Sequence, residues 1–274
     1  MLPCRIRLLP SRAEFDRLRV VLVASRNSLN IGAAARAMSN FGFFDLRVVN
    51  PYEVSFRQAQ SAVGAAELLK RAVECKTVGE AVADCTLVVG TTAGARRQPR
   101  HPLRGLEEGG SEIKQEMRRS GRVALLFGSE KRGLSNDDFS HCHWLMRIPT
   151  REEHPSMNLA QAVAVCLYEL AREGHAASKA RASAEAIAQK AQGATAGDTE
   201  RIGSILLRLL RASGYIKARN SVTAEEKMRR LVRRLSLSTQ DAAVLVGMLR
   251  QIEWKVEGRA GGAAEEAHVV QGDE

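Results

Sequence analysis

Aromatic side chains supply only 4% of this 274-residue chain, so a platform of stacked rings for nucleic-acid bases is not on offer. Cysteine is sparse and odd in number: Cys4, Cys75, Cys85, Cys142 and Cys166 are scattered, with no CxxC pair. That excludes a disulfide framework and reads as reduced thiols in apolar segments, as in a reducing compartment. His141, Cys142 and His143 are adjacent, but neighbours in an extended segment point to opposite faces, and no ligand spacing supports them. No metal is expected. No run approaches the roughly 20 apolar residues of a membrane span, and Met1 to Leu9 lack the apolar stretch of a signal peptide. The expectation is a soluble, cytoplasmic protein without a membrane partner.

Two nucleotide signatures are also missing. There is no GxGxxG, which counts against an ordinary dinucleotide or Rossmann methyltransferase site. The loop Gly128-Ser129-Glu130-Lys131-Arg132-Gly133-Leu134-Ser135 has the glycine spacing of a P-loop, but Leu134 stands where the phosphate-binding lysine must sit. An NTPase reading therefore fails on its central charge.

What the chain does have is enough apolar material, 45%, to fill one large domain or a medium and a small one. Lys and Arg total 41 against 31 Asp and Glu, a formal charge of +10. Such a balance suits a polyanionic partner or a solubilising surface, and charge alone does not separate the two. Continuous apolar runs of strand length recur at Arg19 to Ala24, Leu46 to Val49, Thr86 to Gly90 and Arg122 to Phe127, with a further strand at Trp144 to Ile148. Helical patterns lie between them at Gly32 to Phe41, Ala59 to Arg71, Val78 to Ala83 and Ile113 to Ser120. This alternation predicts an α/β fold on a mostly parallel sheet with helices on both faces. A long apolar helix is expected over Asn158 to Arg172, then a linker over 175–197. Three more helices are expected at Asp198 to Ala212, Thr223 to Leu235 and Thr239 to Val256, and a disordered tail over 258–274. Residues 1–17 form an N-terminal extension.

Open parallel sheets bind ligands where loops leave the carboxyl ends of strands, which singles out three loops. They are Ser25 to Gly32, Gly90 to Arg97, and Gly128 to Ser135. Small residues in the second allow close backbone approach, and its Arg96 and Arg97 suit phosphate.

Taken in order, Val20 to Val23 with Asn30-Ile31-Gly32-Ala33-Ala34-Ala35-Arg36-Ala37-Met38, then Phe127 to Leu134, then Ile148-Pro149 with Ser156-Met157-Asn158-Leu159-Ala160-Gln161, resemble the three motifs of TrmH-type SPOUT RNA methyltransferases. The stretch Ser213-Gly214-Tyr215-Ile216 with Met228 to Leu231 and Leu249 to Glu253 is similar to the branch that methylates the ribose of cytidine or uridine at tRNA position 32. The resemblance spans about residues 18–257. It implies an α/β-knot catalytic domain over 18–174 containing a trefoil, a rarity that periodicity does not predict. A helical domain over 198–257 would bind tRNA and support a homodimer. The implied reaction is S-adenosylmethionine-dependent 2′-O-methylation without metal, with Thr91, Thr92, Ala93, Gly128, Ile148, Ser156 and Met157 lining the cofactor pocket. Arg36 stands at the position of the family's proposed catalytic arginine, near the other subunit's cofactor. Asn30, Glu130, Ser156 and Asn158 fill the remaining polar catalytic positions. Arginine, whose guanidinium stays protonated far above neutral pH, is a reluctant general base, and stabilising the forming oxyanion is its other role. Residue by residue, Ser156 also reads as a helix N-cap, Asn30 as a turn residue, Glu130 as an exposed charge and Arg36 as a solvated helix arginine.

The helix around Met228 bears on substrate. Met228, Leu231, Val232 and Leu235 follow the i, i+3, i+4, i+7 stripe of a packed face, which leaves Lys227, Arg229, Arg230, Arg233 and Arg234 on the remaining surface, where phosphate contact is expected. Within the same fold an rRNA methyltransferase is the alternative. A catalytically silent RNA-binding module is the alternative outside it.

Overall fold

The computed structural model describes residues 12–51, 56, 65–94, 101–172, 193–216 and 221–269. The chain divides into two compact units, Met1–Lys190 and Ala191–Glu274. In the first, the chain runs α1 (Arg12–Phe15), β1 (Leu18–Val23), α2 (Ser28–Phe41), β2 (Asp45–Val49), α3 (Ala66–Arg71), β3 (Val73–Cys75), α4 (Val78–Val82), β4 (Leu87–Thr91) and β5 (Leu103–Gly105). It continues through α5 (Leu106–Arg118), β6 (Val123–Phe127), α6 (Asn136–Ser140), β7 (Trp144–Arg147) and α7 (Leu159–Ala171).

The seven strands form one sheet in the order β3-β2-β1-β6-β4-β7-β5, and every pairing is parallel. Two late strands are slotted between earlier ones: β6 enters between β1 and β4, and β7 between β4 and β5. The continuous apolar runs follow from burial on both faces, since all six residues of β1 and all five of β6 are buried. Leu18, Val20 and Leu22 pack on one face in a core that also holds Ile31, Ala35 and Met38 of α2 and Val163, Cys166 and Leu167 of α7. On the opposite face, the buried Arg19 donates to the Ala81 carbonyl at 3.0 Å and to Asp45 Oδ2 at 3.0 Å, and pairs with Asp84. A guanidinium is admitted into the sheet because its donors are taken up.

The five foreseen strands are present with ends displaced by a residue or so, while β3 and β5 are not visible in the sequence. Each has three residues, and Val73, Glu74 and Leu103 are exposed, so neither shows an apolar run; the sheet edge makes them strands. Helix α5 starts at Leu106, before the expected Ile113, behind the acidic first turn of Glu107 and Glu108, which suits a helix N-terminus. Of the expected helix Ala59 to Arg71, residues 59–64 lie outside the described residues, as do 175–192 of the linker and 1–11 of the extension. Phe15 of α1 is buried, its ring 4.3 Å from that of Phe43.

The second unit holds α8 (Ala196–Ala212), α9 (Ser221–Arg234) and α10 (Thr239–Val269). Helix α8 opens on a capping box in which Thr195 and Asp198 each satisfy the other's backbone N–H. Ile202, Ile205, Val232, Ala242 and Leu249 form the core of the unit. Helix α10 runs past Val256 to Val269, where the sequence places a disordered tail. Ala260, Ala263, Ala264, Glu265, Glu266 and Ala267 are good helix formers, and each of Gly261 and Gly262 costs only about 1 kcal/mol in a helix.

Candidate active site

Strands β6, β4 and β7 are neighbours in the sheet, so the loops leaving their carboxyl ends share one rim. The Thr91 hydroxyl donates to the Leu126 carbonyl at 2.8 Å, and the Thr92 N–H donates to the Met146 carbonyl at 3.0 Å. These bonds stitch the end of β4 to both flanking strands. Beyond β6 the chain folds back on itself, with Ser129 bridged to Gly133 and the Gly133 N–H donating to Ser129 O at 2.8 Å. A Cβ at Gly128 would collide with the backbone of Gly133 and Leu134, so only glycine fits there. Gly94, at φ 72°, takes a backbone region that favours glycine. The Arg147 side chain lies over it, 3.4 Å from where a Cβ would stand.

Three of the polar residues singled out in the motifs, Asn30, Glu130 and Asn158, form one connected hydrogen-bond group. The Glu130 carboxylate accepts from Asn30 Nδ2 at 3.1 Å and from the Ser25 hydroxyl at 3.0 Å. It also accepts from the backbone N–H groups of Arg26 and Asn27, both at 3.3 Å. Asn30 Oδ1 in turn accepts from Asn158 Nδ2 at 2.9 Å. Burial of Glu130 opposes its ionisation, but donors from its own backbone, Asn30, Arg26 and Ser25 outweigh that and hold its carboxyl below the ordinary carboxylate range. A carboxylate so held is an acceptor that fastens loops, and it has little appetite for a proton near neutrality.

Both asparagine ends of this chain of contacts are anchored to helix starts. Asn27 is the N-cap of α2, its side chain accepting from the N–H groups of Leu29 and Asn30. Asn158 is the N-cap of α7, accepting from Ala160 and Gln161. The cap therefore belongs to Asn158 and not to Ser156, which is exposed two residues earlier; a cap must sit at the residue whose carbonyl already enters the helix. Ile148 and Met157 are half-buried, and Ile148 packs against the main core. Ser25 and Asn27 belong to the first of the three candidate loops but have no individual role in the sequence reading, and Arg147 lies outside all three. Asn27 carried a readable signal, an asparagine immediately before a helical pattern. The contact of Ser25 with Glu130 and the place of Arg147 over Gly94 carried none, because only the fold brings these residues together.

Arg36 lies on the outward face of α2 in a stripe with Ala33 and Asn40, and it is exposed. Among the described residues no carboxylate pairs with it. Arg96 and Arg97 lie outside the described residues.

The basic helix needs a correction. Arg233 is only 4% exposed and pairs with Glu200 of α8 at 3.6 Å. Arg229 pairs with Glu200 at 3.0 Å and with Glu225 at 2.6 Å, and Arg230 with Glu226 at 3.7 Å. Leu231 and Leu235, placed by the sequence on the packed face, are instead exposed, while Val232 is buried. Helix α9 is rotated from the expected orientation because Glu200 draws Arg229 and Arg233 inward, and Glu225 and Glu226 lie one turn before Arg229 and Arg230. Of the five cations, Lys227 and Arg234 are exposed.

Residues 17–168 match the family described as SpoU rRNA Methylase. A tRNA (cytidine/uridine-2′-O-)-methyltransferase, TrmJ, of Klebsiella pneumoniae is 35% identical over 245 residues, 89% of this chain and 99% of that protein. The protein of the same description from Yersinia pestis strain Pestoides F is 35% identical over 86% of this chain and 91% of its own length. Among solved structures, TrmJ from Z. mobilis ZM4 superposes with a TM-score of 0.73 at 30% identity, covering 86% of this chain and 98% of that one.

Proposed function

We infer from membership of the SpoU methylase family, to which this chain belongs, that it is an S-adenosylmethionine-dependent tRNA 2′-O-methyltransferase. The observation that carries this reading is the hydrogen-bonded run Asn158–Asn30–Glu130, which joins all three motifs at the ligand-binding ends of parallel strands. The finer proposal is that the methyl acceptor is the ribose of cytidine or uridine at position 32 of the anticodon loop.

The rim fits the cofactor. Gly128 lets its loop close tightly on the backbone of Gly133 and Leu134, and the half-buried Ile148 and Met157 offer apolar surface of the kind an adenine needs. Thr91, Thr92, Ala93, Gly128, Ile148, Ser156 and Met157 would hold it. When bound, S-adenosylmethionine supplies an electrophilic sulfonium methyl for in-line displacement. The protein has to place the 2′-oxygen on that line and manage its proton. Arg36, exposed on α2, holds its guanidinium toward the oxygen and the neighbouring phosphate. It stabilises the developing oxyanion or accepts the proton, and a pH profile of turnover distinguishes the two. Asn30, Glu130 and Asn158 fix the loops around this step, and Ser156 contacts the ligand at the rim.

In the same proposal, residues 18–174 are the catalytic domain and 198–257 the tRNA-binding domain, and two chains assemble as a C2 homodimer in the cytoplasm, with α7 at or near the interface. Leu29 at 80% exposed and Tyr168 of α7 at 57% are apolar surface that a partner would cover. The RNA contacts are assigned to Arg96, Arg97, Lys227 and Arg234. No described helix is long and apolar enough to cross a membrane.

The test is transfer of labelled methyl from S-adenosylmethionine to unmodified tRNA by the purified protein, with 2′-O-methyl mapping of the product. Label at the ribose of nucleotide 32, resistant to chelators, is expected. Label on a base, or on rRNA in place of tRNA, overturns the reading.

A further inference from the structure

Helix α10 carries two apolar faces. One is accounted for: Ala242 and Leu249 are buried in the core of the second unit. The other is a row at i, i+4 and i+8, in which Val244 is 58% exposed, Met248 59% and Ile252 51%. Three large apolar side chains in line on one face, each more than half open to water, exceed the scattered apolar exposure that a surface normally carries. The row ends in opposite charges, with the exposed Asp241 before Val244 and the exposed Lys255 after Ile252.

These positions are symmetric about Met248. Running the helix against an antiparallel copy of itself, with Met248 on the two-fold axis, sets Val244 against Ile252 of the partner subunit and Asp241 against Lys255 of the partner subunit. Both self-matched relations are what an isologous contact demands: apolar meets apolar, and each negative end meets a positive one. A parallel pairing would instead stack Asp241 on its own copy and Lys255 on its own copy.

We propose that this face of α10 is a second self-association surface, on which a second copy of the chain seats its own α10 in antiparallel register about Met248. Three side chains per copy cover far less than the roughly 1,200 Å² that a stable interface buries. The contact therefore works inside an assembly already held elsewhere, where tethering supplies an effective concentration of about millimolar. It rests on the homodimer proposed above. Its consequence is to fix the two tRNA-binding units of the dimer as one surface.

Site-directed cross-linking on the full chain, in a Cys4→Ser background, tests the register. The four other cysteines are buried. Met248→Cys places two thiols on the axis, and mild oxidation is expected to convert it to a covalent dimer. Val244→Cys alone is expected not to cross-link: its two copies lie about 12 Å apart along the helices, beyond the roughly 7 Å that a disulfide spans. A mixture of Val244→Cys and Ile252→Cys chains is expected to cross-link. Asp241→Lys should slow cross-linking of Met248→Cys, and adding Lys255→Asp should restore it. Cross-linking of Val244→Cys alone at the Met248→Cys rate overturns the register. If the thiol of the Met248→Cys variant is shielded from maleimide without forming a dimer, the chain's own first unit covers the face, and shielding only on tRNA addition assigns the face to RNA. Both outcomes overturn self-association. Sedimentation of the same samples separates the failures: a monomer sinks the dimer itself, whereas a dimer whose Met248→Cys thiol stays reactive and uncross-linked sinks only this contact.

Discussion

Asn158 Nδ2 donates to Asn30 Oδ1 at 2.9 Å across 128 residues of chain, while Asn158 Oδ1 caps α7 through Ala160. One side-chain amide thus does two separable things. Asn158→Asp keeps the capping oxygen but replaces the donor with a carboxylate oxygen facing Asn30. Melting temperature is expected to change little and turnover to fall about 10-fold, the equivalent of one missing hydrogen bond of about 1.4 kcal/mol. Asn158→Ala loses the cap as well, about 1 kcal/mol, and should melt roughly 2–4 °C lower. Unchanged turnover in the aspartate variant would mean that Asn158 is only a cap.

Glu130 gives a pH dependence of definite sign. Its folded pKa lies below the ordinary value of 4.5, so the stabilisation it lends is present above that value and is lost as pH falls through and below it. The amides of Arg26 and Asn27, which donate to it, should lose hydrogen-exchange protection over that range before the sheet core does. Glu130→Gln should show the loosened loop already at pH 7, and an acid response identical in wild type and variant would refute the assignment.

Arg36→Ala should lower turnover by about 100-fold or more, on the order of 3 kcal/mol of transition-state stabilisation, with S-adenosylmethionine affinity nearly unchanged. Lysine should rescue poorly, because a point charge does not reproduce the guanidinium fork. Isothermal titration beside single-turnover rates separates binding from chemistry, and wild-type rates in the alanine variant would make Arg36 an ordinary solvated residue.

The five cations of α9 should divide into two groups. Lys227→Ala with Arg234→Ala should weaken tRNA binding and flatten its salt dependence by roughly 0.9 for each phosphate no longer neutralised, without changing the melting temperature. Arg233→Ala should instead destabilise the second unit, since it removes a buried guanidinium from beside Glu200, although Arg229 still pairs with that carboxylate, an effect of roughly 1–3 kcal/mol. Filter binding across salt concentrations and thermal unfolding check the two halves, and equal salt slopes in all variants would remove α9 from the RNA surface.

The sequence by itself determined the parallel α/β sheet, because strands buried on both faces must be apolar throughout, as β1 and β6 are. The candidacy of Asn30, Glu130 and Asn158 came from the resemblance of their segments to the family's motifs, since residue type alone reads them equally as a turn residue, an exposed charge and a helix cap. What the tertiary structure decided is which of them meet, and that depends on β6 and β7 inserting between earlier strands, a matter of chain path that leaves no periodic trace. Ser25 reaches Glu130 only through that insertion. The tertiary structure also decided the fate of α9. A helical wheel places Leu231 and Leu235 inside by hydrophobicity alone, but ion pairing of Arg229 and Arg233 with Glu200, a residue of another helix, turns the wheel. Periodicity records the preferences of one helix, while its orientation is settled by the partners it finds.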